Sequence, residues 1–404
     1  MKSSPPVRAG LDSGRHIFAL ICCLPILIFT FYVVLRVPFS FFDFISYWSA
    51  GHLYLAHQNP YSYAGMFALE RSMGWNYPFP LVMLCPPWTL FVNALFGLFP
   101  FRTSQLIWCF VSTGMDALSA YGLWRYFGGQ RRTVWIAVLV FLSFSPVIAV
   151  AHLCQVTPIM LLSFTAFLYS VRSERWVLAG MSLLGMSIKP HLLWLVFLAI
   201  ALWAIRNRRV RMIASALMTV AVFTAAALAL NPKAIHFFHD AYGPAIATSC
   251  GFGGALRLLF GIQHAWLQYL PCIAGLAWFV WYWAKHGRHW SWSEHMPLLL
   301  VVSVASSPYC WFHDFILVLP AFIALAVRGA WRSLLTPFFW LAIQAAILLA
   351  PNEAFKAALS ALWVGFFILA SARCKALAHR TVGLQMQPER GDPAPSGDRT
   401  VQPA

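Results

Sequence analysis

Thirteen apolar blocks divide this chain, near residues 17–37, 81–99, 104–127, 133–150, 157–171, 176–188, 192–205, 212–230, 266–284, 296–308, 315–327, 336–350 and 357–371. They are continuous runs with no period-two alternation, so helices are expected and a β-barrel is excluded. With 60% hydrophobic and only 10% charged residues, a soluble chain of 404 residues could not solvate its own surface. The fold class is therefore all-α, a polytopic integral membrane protein. The first run lacks a cleavage site behind it and is expected to stay as a helix.

The formal net charge of +16 would suggest nucleic acid in a soluble domain. Here the arrangement of the charges explains it better, and no nucleic-acid partner is expected. If every run except 81–99 crosses the bilayer, all the basic clusters fall on one side. These are Lys2/Arg8/Arg15, Arg125/Arg131/Arg132, Arg172/Arg175, Arg206/Arg208/Arg209/Arg211, Lys285/Arg288, Arg328/Arg332 and the tail from Arg373 to Arg399. Together they hold 21 of the 28 lysines and arginines. Counting 81–99 as a crossing would flip every later cluster. Basic residues resist translocation, so about 12 transmembrane helices are expected, with both termini cytoplasmic. Pro86-Pro87 removes two backbone donors near the start of 81–99, which predicts a re-entrant or interfacial segment on the outer face. The expected divisions are a cytoplasmic segment 1–16, a transmembrane domain 17–371 with outer loops 38–103 and 231–265, and a disordered cytoplasmic tail 372–404.

Several runs are short. Thirteen residues, as in 176–188, make about 20 Å of helix against a hydrocarbon core of about 30 Å. Broken helices are tolerated where they line a cavity or pack within protein. The breaks fall at Lys189-Pro190-His191 and between Ser307 and Asp314, both on the outer side. The same side carries Asp43, one of only twelve acidic residues, in an aromatic loop with Tyr47, Trp48, Tyr54 and Asn59-Pro60-Tyr61. Ionisable groups near membrane depth are costly and mark functional sites when they face a cavity. Few acids among several bases fit an anionic ligand, and a lipid phosphate under Lys189 and Arg257 meets that description. The nine cysteines are scattered with no C-x-x-C pair, so neither zinc nor a disulfide framework is expected.

Several motifs then align with a known family. They are Asp43, Tyr47-x-x-Ala50, Asn59-Pro60-Tyr61 and Tyr77-Pro78 ahead of Pro86-Pro87. Gln155 at the start of a helix, Lys189-Pro190 and Ser307-Pro308-x-x-Trp311-x-His313 before Pro320 follow in order. The chain resembles glycosyltransferase family 87, over about residues 40 to 320. It departs from that pattern at Cys154-Gln155-Val156-Thr157 and at Thr248-Ser249-Cys250.

The resemblance implies a GT-C-type fold in a bacterial inner membrane and an active site on the extracytoplasmic face. It implies a polyprenyl-phosphate-sugar donor, mannose being the family's sugar, and a lipid-linked or glycan acceptor. Asp43 is then the base, with His313 as a second catalytic group. Lys189 and Arg257 hold the donor phosphate, and Gln155, Tyr47, Tyr61 and Asp314 contact substrate. One base opposite the leaving group gives inversion by direct displacement. No metal or other cofactor is expected. The competing reading is a secondary transporter or lipid flippase, which would also show broken helices and buried charges. Simpler roles stand beside each residue: Asp43 as a partner of Arg36, Lys189 snorkelling outward, Arg257 as a headgroup anchor, and Gln155 and Asp314 as helix caps.

Overall fold

The computed structural model describes residues 42–241, 251–329, 335–349 and 361–372. The expected segment 1–16, run 17–37, Arg36, Thr248-Ser249-Cys250 and nearly all of the tail lie outside the described residues. Within them every regular element is helical. The helices in order are α1 (Phe42–Leu55), α2 (Tyr63–Ser72), α3 (Leu90–Gly97), α4 (Phe101–Tyr126), α5 (Val134–Ser143), α6 (Ser145–Leu153), α7 (Thr157–Arg172), α8 (Trp176–Met186) and α9 (Trp194–Arg206). They continue with α10 (Val210–Leu230), α11 (Ala234–Asp240), α12 (Phe252–Phe260), α13 (Leu270–His286), α14 (Trp292–Ala305), α15 (Leu319–Val327) and α16 (Leu335–Leu348). A last apolar helix, α17, covers Ala361–Ala372.

Among the described residues most of the apolar runs recur as helices, but the count of about twelve full crossings is not confirmed there. Among the described residues, α4 and α10 are the helices long and apolar enough to cross a bilayer each by itself. Residues 131–143 and 145–153 would make a third crossing if joined, but a 64° bend separates them. The physical reason lies at the helix ends. Run 133–150 breaks at Ser143–Ser145, where the Ser145 amide and hydroxyl both donate to Gln344 Oε1 of α16 (3.0 and 2.7 Å). A backbone donor freed by a bend is thus satisfied from a neighbouring helix, as buried backbone requires. Proline in the first turn starts α6 at this break, and also α7, α13 and α15, where its missing N–H is no loss.

Run 81–99 is not one helix. Residues 81–86 are irregular, Pro87–Thr89 form a 3-10 turn, and α3 begins only at Leu90. Eight residues span about 12 Å, too little to cross. What α3 does is support α1. A Cβ on Gly51 would stand 1.8 Å from the Asn93 carbonyl oxygen, and one on Gly97 2.5 Å from the Gly51 backbone. Only glycine permits this backbone-on-backbone crossing. Asn93 Nδ2 donates to the Tyr47 carbonyl (3.2 Å) and Trp48 Nε1 to the Phe99 carbonyl (2.9 Å), so α1 is bonded to the middle of α3 and to the chain just past it.

The loop between α2 and α3 hangs on Glu70, which is fully buried. Its Oε2 accepts from the Leu81 amide at 2.9 Å, while Oε1 has no protein partner. Glu70 lies outside every apolar run. Burial pushes its carboxyl up to about 7 from an ordinary 4.5, and the Leu81 bond opposes that rise only in part. An acid with a raised native pKa binds its proton more tightly in the folded state. Stability is then greatest below the unfolded value and falls as pH climbs toward about 7. Glu70→Gln, a mimic of the neutral acid, should flatten this slope in melting curves of detergent-solubilised protein between pH 5 and pH 8, taken as a roughly three-unit window around the titration. Identical slopes in the two proteins would refute the assignment.

Candidate functional site

Three breaks between helices meet over the N-terminus of α1. The first is the turn between α6 and α7, where Cys154 takes a left-handed conformation (φ 50°, ψ 51°) that throws Gln155 sideways. The second is Ser187–Leu193, between α8 and α9, which carries Lys189. The third joins α14 to the 3-10 helix Phe312–Val318 leading into α15, and carries His313 and Asp314. Asp43 sits in the first turn of α1, and Tyr47 lies one turn further along the same face.

Gln155 is the hub. Its Nε2 donates to Asp43 Oδ2. Its Oε1 accepts from the Tyr47 hydroxyl (2.9 Å) and from Lys189 Nζ (3.2 Å). With a carboxylate at one end and two donors at the other, the amide has a single consistent orientation. The ammonium of Lys189 also donates to Asp314 Oδ1 (2.7 Å) and lies 3.4 Å from His313 Nε2. His313 Nδ1 faces Asp43 Oδ2 at 3.9 Å, and Nε2 lies 3.4 Å from Asp314 Oδ1. If Nε2 accepts from Lys189, the ring proton sits on Nδ1, toward Asp43. Asp314 closes the network: its Oδ2 accepts from the Trp311 amide (2.9 Å), fixing the start of the 3-10 helix.

Burial grades across this cluster. The Asp314 side chain is 1% exposed, His313 7%, Lys189 13% and Asp43 23%. The ion pair lies at the bottom and the carboxylate of Asp43 at the mouth. A buried pair persists only with good geometry and additional hydrogen bonds, both of which this one has. The simpler roles separate accordingly. Gln155 spends its side chain on Asp43, Tyr47 and Lys189. Lys189 turns inward to Asp314. Asp314 both caps a helix and carries the counter-charge.

Two of the expected residues stand apart. The Tyr61 hydroxyl donates to the Cys85 carbonyl (3.0 Å), and its ring packs on Phe238 (5.4 Å between centroids). Tyr61 thereby ties the α1–α2 loop to segment 81–86. Arg257 on α12 donates to the Ile262 carbonyl through Nε (3.1 Å) and Nη2 (2.5 Å), and to Gln268 Oε1 through Nη1 (2.6 Å). Its guanidinium closes its own loop, and none of these bonds goes to the Lys189 network.

Other residues at the site carried no sequence signal. Trp108 of α4 donates its indole N–H to the carbonyls of Cys154 (3.1 Å) and Gln155 (3.2 Å). Trp88, just after Pro86-Pro87, donates to Ser187 Oγ (2.9 Å), two residues before Lys189. As sequence, both are aromatics among apolar residues and read as packing or lipid contacts. Among the described residues no group of three or more His, Cys, Asp or Glu side chains could hold a metal ion.

The basic residues gather at C-terminal helix ends, which for α7, α9 and α15 are the ends away from the breaks of the site. Arg125, Arg172, Arg206, Lys285 and Arg328 lie in or just past the last turns of α4, α7, α9, α13 and α15. Arg172 Nη1 donates to the Tyr126 carbonyl (3.0 Å), and Arg209 stacks over Trp176 at 3.9 Å. The cluster thus belongs to the cation-poor end of the bundle.

An apolar protein that is helical throughout its described residues, with an acid at the mouth of a buried ion-pair network, has the make-up of a membrane enzyme. The sequence model of glycosyltransferase family 87 matches residues 84–308, more than half of the chain, and the chain belongs to that family. It is therefore a glycosyltransferase, and the transporter and flippase readings are set aside. No curated protein and no solved structure matches it. The matched span contains Gln155, Lys189 and Arg257, while Asp43 and His313 lie outside it and reach the same network through their contacts with Gln155 and Lys189.

Proposed function

We propose that this enzyme transfers a hexose, mannose on the family resemblance, from a polyprenyl-phosphate sugar to a lipid-linked or glycan acceptor on the extracytoplasmic face. The observation that carries the reading is the pairing of a half-open carboxylate, Asp43, with the ammonium of Lys189 across one amide, Gln155. The acceptor hydroxyl loses its proton to Asp43 as its oxygen attacks the anomeric carbon. The bond from that carbon to the phosphate oxygen breaks on the opposite face, and polyprenyl phosphate leaves. One displacement inverts the anomeric centre. A phosphate monoester is a good leaving group and needs charge stabilisation more than a proton. Lys189 supplies it by exchanging its long contact to His313 for a phosphate oxygen. His313, between Asp43 and Lys189, turns its Nδ1 toward the carboxylate and orients it. Tyr47 and Asp314 hold Gln155 and Lys189 in place. Arg257 and Tyr61 take no step.

The arrangement of charge supports the side: with the cation-rich helix ends in the cytoplasm, the cluster faces outward, and the bacterial inner membrane is carried over from the family resemblance. The aromatic loop with Tyr63, Tyr77 and Phe79 exposed suits the headgroup layer there.

The test is a transfer assay with purified protein, radiolabelled polyprenyl-phosphate mannose and an extract of envelope glycolipids as acceptors. Release of polyprenyl phosphate that depends on acceptor, with a product of inverted anomeric configuration, is expected. Transfer from a nucleotide sugar, with the lipid donor left intact, would overturn the reading.

A further inference from the structure

One contact near the site serves no step in this mechanism. Trp108 is buried, and its indole N–H is shared between two successive carbonyls, Cys154 and Gln155. These carbonyls belong to a turn held in an unfavourable backbone conformation. A non-glycine residue at φ 50° costs of order 1 kcal/mol and persists only where its surroundings impose it. The turn's own hydrogen bonds are modest. The Cys154 amide reaches the Ala151 carbonyl at 3.4 Å and the Gln155 amide reaches the Val150 carbonyl at 3.1 Å. The indole N–H therefore fastens the turn from outside, off a helix of 26 residues.

The ring of Trp108 faces the other half of the site. It packs on Phe96 of α3 (5.0 Å between centroids), and Phe96 packs on Phe44 of α1 (5.1 Å). Phe44 adjoins Asp43. A single side chain thus touches the backbone that bears Gln155 and, through one ring, the helix that bears Asp43. These are the two residues whose side chains must meet for Gln155 to link the acid to Lys189.

Resting on the function proposed above, we propose that Trp108 is a positioning residue for the transfer reaction, holding the Gln155 amide against Asp43 through its indole N–H. The ring sets the spacing of the helices; the N–H sets the direction of the amide. Trp108→Phe keeps most of the ring and removes the N–H, so it separates the two. The ring contact with Phe96 is largely retained, so the variant is expected to fold.

The experiment is a double-mutant cycle of Trp108→Phe and Gln155→Ala, read as donor-saturated transfer rates, with Asp43→Asn as control. Losing a hydrogen bond of ordinary strength corresponds to about a five- to tenfold loss of kcat, and that is the expected effect of Trp108→Phe, with little change in donor KM. In the Gln155→Ala background the same substitution should have almost no further effect, because the amide it positions is gone. The acid limb of the kcat/KM–pH profile should move to higher pH in Trp108→Phe, since the base loses part of a donor that favours its charged form. A purely structural role would leave that limb in place. A wild-type rate for Trp108→Phe, or a full additive loss in the double variant, overturns the role while leaving the base intact if Asp43→Asn is still inactive. Near-normal transfer by Asp43→Asn would instead remove the base, and with it the role of Trp108.

Discussion

Asp43→Asn should lower transfer by about two to four orders of magnitude, the range ascribed to a well-placed general base, while leaving the fold unchanged. The structural argument rests on what the substitution keeps. Asparagine is the same size, and its Oδ1 can still accept from Gln155 Nε2, the bond that Asp43 makes now. Asp43 lies at the start of α1, where its neighbours Phe44, Tyr47 and Trp48 are buried and unaffected. The ion pair of Lys189 and Asp314 does not depend on it. What is lost is the negative charge and, with it, the capacity to take a proton. The check is a rate measurement on protein whose melting curve and donor binding match wild type. Transfer within a few-fold of wild type would show that another group, or water alone, accepts the proton, and the assignment of the base would fall.

Much of this site was legible in the sequence because its residues sit where the chain interrupts itself. Lys189-Pro190 and Ser307-Pro308 are visible as breaks, since proline and charge cannot be absorbed inside a run bound for lipid. Asp43 is visible because acids are so rare in this chain. The fold class followed from the same contrast. The number of crossings did not. Helices of eleven to sixteen residues, such as α7 and α8, end inside the protein at polar breaks, and a hydropathy run does not distinguish a span from half of one. The contact map of the site was also hidden. No periodicity places residue 43 beside 155, or 155 beside 189, so Gln155 could be read as a helix cap as easily as a hub. Trp108 illustrates the limit on aromatics: its ring follows the apolar pattern, and its function lies in one N–H. Arg257 shows the converse. A cation in an outer loop marks a possible phosphate partner, but the direction of its guanidinium depends on the short turn at Gly261 and Ile262 that captures it.

The largest effect on the folded state should come from Lys189→Ala. Asp314 is almost wholly buried, and Lys189 is its nearest cation, at 2.7 Å. Removing one partner of a buried pair leaves an uncompensated charge and typically costs about 3–5 kcal/mol. The penalty would spread, because Asp314 also holds the Trp311 amide and so the chain break that presents His313. Lys189→Ala protein is expected to melt at lower temperature and to lose transfer, which by itself would not separate stability from chemistry. The double variant Lys189→Met with Asp314→Asn separates them. It removes both charges together, fills the space of the lysine stem, and leaves an amide oxygen to accept from Trp311. Replacing a buried ion pair with neutral groups of similar volume is often neutral or stabilising. The double variant should therefore recover most of the melting temperature lost by Lys189→Ala. It should nonetheless remain about two to three orders of magnitude below wild type in transfer, the loss associated with deleting one preorganised donor to a developing anion. Recovery of both stability and rate would mean that the lysine serves only to neutralise Asp314, and that the departing phosphate is stabilised elsewhere. Recovery of stability alone would place the positive charge that the leaving group needs on Lys189.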